Sequence, residues 1–452
     1  MGTIFKAYDI RGAYPDELDE DTARRIGAGF IGLLQAGSIV VGRDMRLSSP
    51  SLAEAFIEGA LSAGAAVTDV GMVSTPLLYF SIIDGGFDGG AMVTASHLPG
   101  NMNGFKLCRE NAIPLSGDRG LPALEHLVGE SRPIPPHPVT GSYRRIGMMD
   151  RYIESLVRFV RAARSLNVIV DAGNGMAGPE VPLIAAKVPE WTFALIDMEP
   201  DGRFPDHIAN PLIPSTTRNL QATVVREQAD IGVAFDGDAD RCGFIDEKGN
   251  RIPEDLVTAL IAEVFLDKHP GATILYDLRS SRIVPETIGR LGGKAVRCRV
   301  GHAFIKAQMR EEEALFAGEL SGHYYYRDTG YTDNAVMTMI QMLNLIAAKQ
   351  VPLSRLIAPL KKYASSGEIN IQVRDKDAVL AALEAHFGDA QIDHLDGLSV
   401  DYPSWWFNIR PSHTEPVLRL NLEAQDEGTM ETEKRKVLEI VAETDPGTRV
   451  KE

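Results

Sequence analysis

A layout that occurs three times constrains this 452-residue chain more than any other feature. The stretches SIVVGRDMRLSSPSLAEAF, NVIVDAGNGMAGPEVPLIAA and ATILYDLRSSRIVPETIGRL each begin with a short β-branched run. An Asp follows, then a turn with Gly or Ser, then a Pro at the head of a helical pattern. Proline suits that place because the first amides of a helix have no acceptor within it. Strand, acidic turn and Pro-headed helix make a βα unit. Units near positions 40, 170 and 275 predict three related α/β domains of roughly 100–145 residues each. At roughly 100–200 residues per domain, the length predicts three or four domains in all.

Composition breaks fall between the units. SRPIPPHPVTGSYRR (131–145) is Pro-rich, lacks an apolar period and reads as a boundary. DEKGNRIP (246–253) is a Gly-Asn turn before a new helix, and KKYASSGEIN (361–370) makes a third break. Beyond it come alternating EINIQV, a helix DAVLAALEAHF, strands in WWFNIRPS and PVLRLNLEA, and a last helix. That tail predicts a small α+β domain with an antiparallel sheet. The expected units are 1–143, 144–247, 248–360 and 361–452.

Charge narrows the function. With 46 basic against 62 acidic residues the net charge is −16, which disfavours nucleic acid and anionic membrane as partners. No run of 18 apolar residues occurs, so no transmembrane helix is expected. The start, MGTIFKAYDIRG, lacks the apolar segment of a signal peptide, and Lys6 stands where a myristoylation signal wants Ser or Thr. Three cysteines, Cys108, Cys242 and Cys298, fit a reducing cytoplasm rather than a disulfide framework. An anionic ligand would have to be held locally, by Arg, Lys, helix N-termini or a metal, against the global field.

Four stretches carry chemistry. In ADIGVAFDGDADRCGFID a strand ends in Asp236, Asp238 and Asp240 at alternating positions. Three hard oxygen donors at this spacing suit Mg²⁺ or Ca²⁺. An EF-hand is disfavoured, because Arg241 stands where its loop needs Gly and a strand precedes it. A merely solvated acidic turn would leave three carboxylates repelling one another. In VTASHLPGNMNGFK, Ser96 stands where a buried strand emerges into a loop, with His97 and Lys106 able to meet a phosphate. There is no G-x-S-x-G elbow, so a hydrolase nucleophile is disfavoured, and alone the stretch is no more than a turn. LFAGELSGHYYYRDTG sets Glu319, Ser321 and His323 about a Gly turn, a set that suits vicinal hydroxyls. FNIRPSHTEPVLRLN places Arg410, Ser412, His413 and Thr414 between two strands, as an anion cradle or simply a hairpin.

Together these stretches resemble the α-D-phosphohexomutase family (phosphomannomutases, phosphoglucomutases and relatives) over nearly the whole chain and in the family's order. AYDIRG (7–12) resembles its N-terminal motif, and TASHLPGNMNGFK its phosphoserine loop, with Leu98 in place of the usual Asn. DGDADR resembles the metal loop, GELSGH the sugar-specificity loop, RPSHTEP the phosphate loop, and DGRFPDHIANP (201–211) a further family segment. The resemblance implies three related α/β domains with mixed sheets plus a smaller C-terminal α+β domain, arranged around a central cleft. It implies that Ser96 is the phosphorylated residue and, with Asp236, Asp238 and Asp240, a ligand of Mg²⁺. Tyr8, Arg11, His97, Lys106 and Arg241 would line the reaction centre. Glu319, Ser321 and His323 would meet the sugar, and Arg410, Ser412, His413 and Thr414 the phosphate that is not transferred. Arg279 stands where many relatives carry Lys, and VGHAF (300–304) resembles a loop bringing His302 to the ligand, with Lys306 one turn on.

The implied reaction moves a phosphoryl group between O1 and O6 of a hexose phosphate, mannose or glucose, through a hexose 1,6-bisphosphate that also serves as activator. Such transfer depends on alignment and charge neutralisation. Lys106, Arg11 and His323 are the candidates for general base. The partners implied are small hexose phosphates, with a monomer or small homo-oligomer in the cytoplasm. A phosphoglucosamine mutase is the near alternative, although Leu320 stands where that group usually carries Gln. A non-catalytic sugar-phosphate binder is the distant one, and it would have no need of Ser96 beside three Asp.

Overall fold

The computed structural model describes residues 4–117, 120–129, 139–412 and 417–451. The strand that opens each repeat holds the same place in three successive sheets. Ser38–Arg43 lies between parallel neighbours Ala66–Met72 and Gly89–Val93. Leu166–Asp171 lies between Trp191–Ile196 and Ile231–Phe235. Thr273–Asp277 lies between Lys294–Cys298 and Phe316–Gly318. In each sheet a fourth strand then returns antiparallel on the third: Met102–Arg109, Cys242–Asp246 and Tyr324–Tyr326. The opening strands are buried on both faces, which is why they read as unbroken β-branched runs rather than alternations.

The acidic residue of each repeat closes its own turn. Asp44, Asp171 and Asp277 each accept the amide two residues on, from Arg46, Gly173 and Arg279, at 3.0, 2.9 and 2.7 Å. The helices Ser49–Ser62, Ala177–Lys187 and Ile283–Arg290 follow, with Pro50, Pro179 and Pro285 in their first turns.

Three features go beyond the composition of their segments. The Gly- and Asn-rich stretch after Ser96 is strand from Met102 onward, paired on both edges. Gly104 permits this, since a Cβ there would meet the Ile10 carbonyl oxygen at 2.0 Å. Tyr143–Arg145, at the end of the Pro-rich break, is an exposed strand parallel to Ala66–Met72 in the first sheet, too short and too polar to show a period. The C-terminal sheet is antiparallel throughout, and besides Ala364–Gln372, Trp405–Pro411 and Leu418–Ala424 it contains the short strands Gln391–Asp393, Leu398–Asp401 and Arg449–Lys451.

One apolar cluster runs through the first three domains, joining Leu77 and Met92 to Val170 and Phe235 and to Tyr324 and Ile340. Its spine is the helix Ala335–Lys349, apolar nearly all round and capped by Asn334, whose side chain accepts from the Met337 amide at 2.8 Å. The C-terminal domain keeps a separate core around Ile371, Phe407, Leu420 and Val437. Among the described residues no helix is long and apolar enough to cross a membrane.

Glu180 is buried where the shared core closes, and burial pushes its carboxyl up to about 8, with Ser74 opposing. A carboxyl raised on folding contributes stability that is complete below about pH 4.5 and lost as pH rises through about 8. The wild-type melting temperature is therefore expected to fall between about pH 5 and about pH 8 more steeply than that of Glu180→Gln. Parallel curves in a pH series of thermal melts would contradict this.

Candidate active site

The three equivalent hairpins, each between the third strand and the antiparallel fourth, carry Ser96, the Asp236–Asp240 run and the Glu319–His323 run. The first hairpin puts Ser96 at a left-handed φ of 53°, fully buried, with its amide bonded to Thr94 Oγ1 at 2.9 Å. Its Oγ donates to Asp236 Oδ2 at 2.8 Å and lies 3.1 Å from His97 Nδ1. Arg46 holds the loop from behind. Its guanidinium donates to the carbonyls of Ser96, Leu98, Pro99 and Met102 at 2.7, 2.6, 2.6 and 3.0 Å, and its Nε to Asp44 at 3.1 Å. Phe204, from the 201–211 segment, lies under that guanidinium at 5.3 Å.

The second hairpin presses against the first. A Cβ on Gly237 would meet the Ser96 carbonyl oxygen at 2.5 Å, so this approach requires glycine. Asp236 Oδ1 accepts the amides of Asp240 and Arg241, each at 3.1 Å, which wraps the loop round its own first carboxylate. Thr75, at the start of the helix Thr75–Gly85, donates through Oγ1 to Asp238 Oδ2 at 2.6 Å. Lys106 reaches across from the first sheet to Asp238 at 2.6 Å and also to Asp240. Burial pulls the Lys106 ammonium down, but Asp238 and Asp240 outweigh it and raise it. Burial and its two neighbours push Asp236 up, whereas Lys106, His323 and Arg241 overcome burial and hold Asp240 well below the carboxylate range.

A cation fits this group. Donor atoms of Asp236, Asp238 and Asp240 lie within 4.8 Å of one another. Asp238 Oδ1 is buried with no hydrogen-bond donor, Asp240 Oδ1 has only a long contact with His323 Nε2 at 3.4 Å, and all the donors are hard oxygens, with Ser96 Oγ beside them.

The third hairpin is laced to the second by an antiparallel bridge between Arg241 and His323. Glu319 Oε2 accepts from Tyr325 at 2.7 Å and lies 3.1 Å from His323 Nδ1, which is 2.8 Å from Ser321 Oγ. Arg241 Nε and Asp240 Oδ1 compete for His323 Nε2, at 3.1 and 3.4 Å. Burial and Arg241 lower the imidazole, but Asp240 and Glu319 prevail and bring it up to about 9. Burial keeps His97 and His302 neutral, both well below the usual range. The His302 ring lies 6.4 Å from His323 and 5.6 Å from Tyr8, whose hydroxyl donates to the Val300 carbonyl at 3.1 Å. Arg11 is fixed by Asp9 at 2.6 Å.

Arg279 does not stand free. It is clamped by Asp277 at 2.6 Å and lies 3.6 Å from Glu319 and 3.3 Å from Glu368 of the C-terminal domain. Glu368 also faces Arg410 at 3.6 Å and Arg419 at 3.3 Å. Arg410 is buried and its Nε has no acceptor among the described residues, as an anion site requires. Ser412 lies beside it in sequence, its amide donating to the Val417 carbonyl at 2.9 Å, while His413 and Thr414 lie outside the described residues.

The structure thus brings Ser96, His97, Lys106, Arg241, the three Asp, Glu319, Ser321 and His323 into one network, with Arg11, Tyr8 and His302 at its border and Arg410 joined through Arg279 and Glu368. Sequence reasoning passes over Thr75, Arg46 and Glu368. Arg46 alone has a visible signal, because Asp44-x-Arg46 matches Asp277-x-Arg279. Gly237→Ala is expected to part the first two hairpins and weaken Mn²⁺ binding by about tenfold, read by titration calorimetry, with little change in melting temperature. Unchanged affinity would contradict that account of the glycine.

Comparison with known proteins agrees with this geometry. Sequence models described as phosphoglucomutase/phosphomannomutase match in order: alpha/beta/alpha domain I over residues 2–129, domain II over 150–249, domain III over 253–363 and the C-terminal domain over 368–440. A phosphomannomutase of Escherichia coli is 41% identical, covering 97% of this chain and 99% of its own. A Xanthomonas campestris protein named phosphohexose mutases is 40% identical, covering 97% and 98%. The crystal structure of a phosphoglucomutase/phosphomannomutase family protein from Burkholderia thailandensis superposes with a TM-score of 0.92 at 33% identity, covering 100% of this chain and 99% of that one. With all four domains matched in order, this chain belongs to the phosphoglucomutase/phosphomannomutase family, the α-D-phosphohexomutases.

Proposed function

We propose that this phosphohexomutase interconverts the 1- and 6-phosphates of mannose or glucose through phosphorylated Ser96. The hydrogen bond from Ser96 Oγ to Asp236, in a hairpin that presses on two further carboxylates, carries this reading. A substrate hydroxyl attacks the phosphorus of phospho-Ser96 and gives up its proton, the P–Oγ bond breaks, Ser96 Oγ takes up a proton, and a hexose 1,6-bisphosphate forms. The bisphosphate turns end for end, Ser96 Oγ attacks its other phosphate, and the monophosphate leaves. Mg²⁺ held by Asp236, Asp238, Asp240 and a phosphoserine oxygen would supply Lewis-acid charge at the transferred group.

The remaining roles belong to the same proposal. Lys106 and Arg241 neutralise oxygens of the moving phosphoryl group, with Arg11 and His97 beside them. Glu319 and Ser321 take sugar hydroxyls, with His323, His302 and Tyr8 around them. Arg410, Ser412, His413 and Thr414 hold the stationary phosphate, with Arg279 steering it. Lys106 and His323, two of the base candidates, are both raised and so protonated at rest. A loose transition state makes little early demand for a base. The four units, 1–143, 144–247, 248–360 and 361–452, close round a central cleft, in the cytoplasm, with hexose 1,6-bisphosphate as activator.

The reading is tested by turnover of mannose, glucose and glucosamine 1-phosphates in parallel, with Mg²⁺ and a trace of hexose 1,6-bisphosphate. Turnover of the hexose phosphates, lost in Ser96→Ala by at least about a thousandfold, is expected. Turnover of glucosamine 1-phosphate alone would move the assignment to that substrate, and an active Ser96→Ala would end the relay. The separate C-terminal core leads to a second expectation. A chain ending at residue 360 is expected to fold and accept phosphate on Ser96 but to lose nearly all turnover, and full turnover would contradict the role of the fourth unit.

A further inference from the structure

Beneath the third hairpin lies a buried ion pair that the cycle above leaves unused. Lys306 Nζ and Asp333 Oδ2 stand 3.1 Å apart, with side chains 0% and 1% exposed. Lys306 belongs to the helix His302–Glu311, and Asp333 ends the short strand Thr332–Asp333. The Lys306 ammonium also lies 4.0 Å from the centre of the Tyr79 ring, on the helix Thr75–Gly85 of the first domain. Two charges taken wholly out of water are costly, and apolar side chains of the same volume often pack there at least as stably. Packing alone therefore does not account for the pair.

Its surroundings do. Asp333, Asp240 and His323 each place a donor atom within 4.8 Å of the other two. Asp240 in turn binds Lys106. Contacts thus run along a buried file of Lys106, Asp240, His323, Asp333 and Lys306. Without Lys306, the buried Asp333 loses its ion-pair partner while a donor atom of Asp240 lies within 4.8 Å of its own, and carboxylates at that range repel. Lys306 is also four residues from His302, on the same face of one helix. Anchoring Lys306 to Asp333 and Tyr79 fixes the rotation of that helix and so the place of His302.

We propose that Lys306 and Asp333 are positioning residues that hold His323 and Asp240 on one side, and the His302 helix on the other, in the alignment that phosphoryl transfer requires. The proposal rests on the mutase reading. It adds that the sugar-binding hairpin and the carboxylate loop are coupled through this pair.

The test uses full-length wild type, Lys306→Met, Asp333→Asn and the double variant. Each is incubated to completion with ³²P-labelled glucose 1,6-bisphosphate, and turnover of glucose 1-phosphate is expressed per phosphorylated Ser96. Unfolded protein then does not enter the measurement. Lys306→Met is expected to take up phosphate yet turn over about tenfold or more slowly, with KM within about threefold of wild type. The double variant, with no uncompensated charge, is expected to regain melting temperature without regaining turnover. A double variant within about twofold of wild-type turnover overturns the proposal, since the pair would then only fill space. A change confined to KM overturns it, as does a variant that cannot be phosphorylated, which would place the pair's action on Ser96 itself. Wild type that neither takes up labelled phosphate nor already carries phosphate on Ser96 by mass spectrometry overturns the relay and this inference with it, so the two failures are told apart.

Discussion

Three carboxylates with almost no access to water, at the tip of one hairpin, set the terms for the rest of this molecule. Left alone they would repel one another or take up protons. Each neighbouring domain sends something to prevent that. The first contributes Lys106 and the Thr75 hydroxyl, the second its own Arg241 and loop amides, and the third His323. The apolar cluster that spans these three domains is the mechanical counterpart of the same demand. Charges that must stay within hydrogen-bond reach of one another cannot sit on bodies that drift apart.

The fourth domain stands in a different relation to the site. Its core is its own, and its tie to the third domain is polar: Glu368 gathers Arg279, Arg410 and Arg419, and Arg282 donates to the carbonyl of Pro403 at 3.0 Å. Ion pairs and backbone contacts at a boundary can break and re-form at little cost, whereas a shared apolar core cannot. A sugar bisphosphate that must reverse its direction needs one wall of that kind.

Much of this was legible in the sequence because it is local. The β-branched run, the Asp and the Pro of each repeat lie within about twenty residues, and all three resolve into the same strand, turn and helix. Asp236, Asp238 and Asp240 were legible because they lie within five residues of one another, in the turn just past a strand end. What stayed hidden depends on register between distant strands. Lys106 meets Asp238 and Asp240 only because Met102–Arg109 pairs as it does, more than 130 residues away from them in sequence. Arg46 reaches four carbonyls some 50 residues on, which no side-chain pattern records. Glu368 sits where a strand register shifts, amid Ser and Gly that read as a linker. The strand Tyr143–Arg145 is exposed at all three residues, so its sequence has no face to show.

The equivalence of the three hairpins has a consequence for how such a protein can change. Each occupies the same slot in the same scaffold, yet one carries Ser96, one the three carboxylates and one Glu319, Ser321 and His323. The sheets beneath them share one four-strand order, although the first has six strands and the other two five. The scaffold therefore behaves as three copies of one socket, each able to carry different residues while pointing at the common centre. Inheritance can revise the third socket, where Leu320 lies with its amide held by Asp277, while leaving the other two untouched.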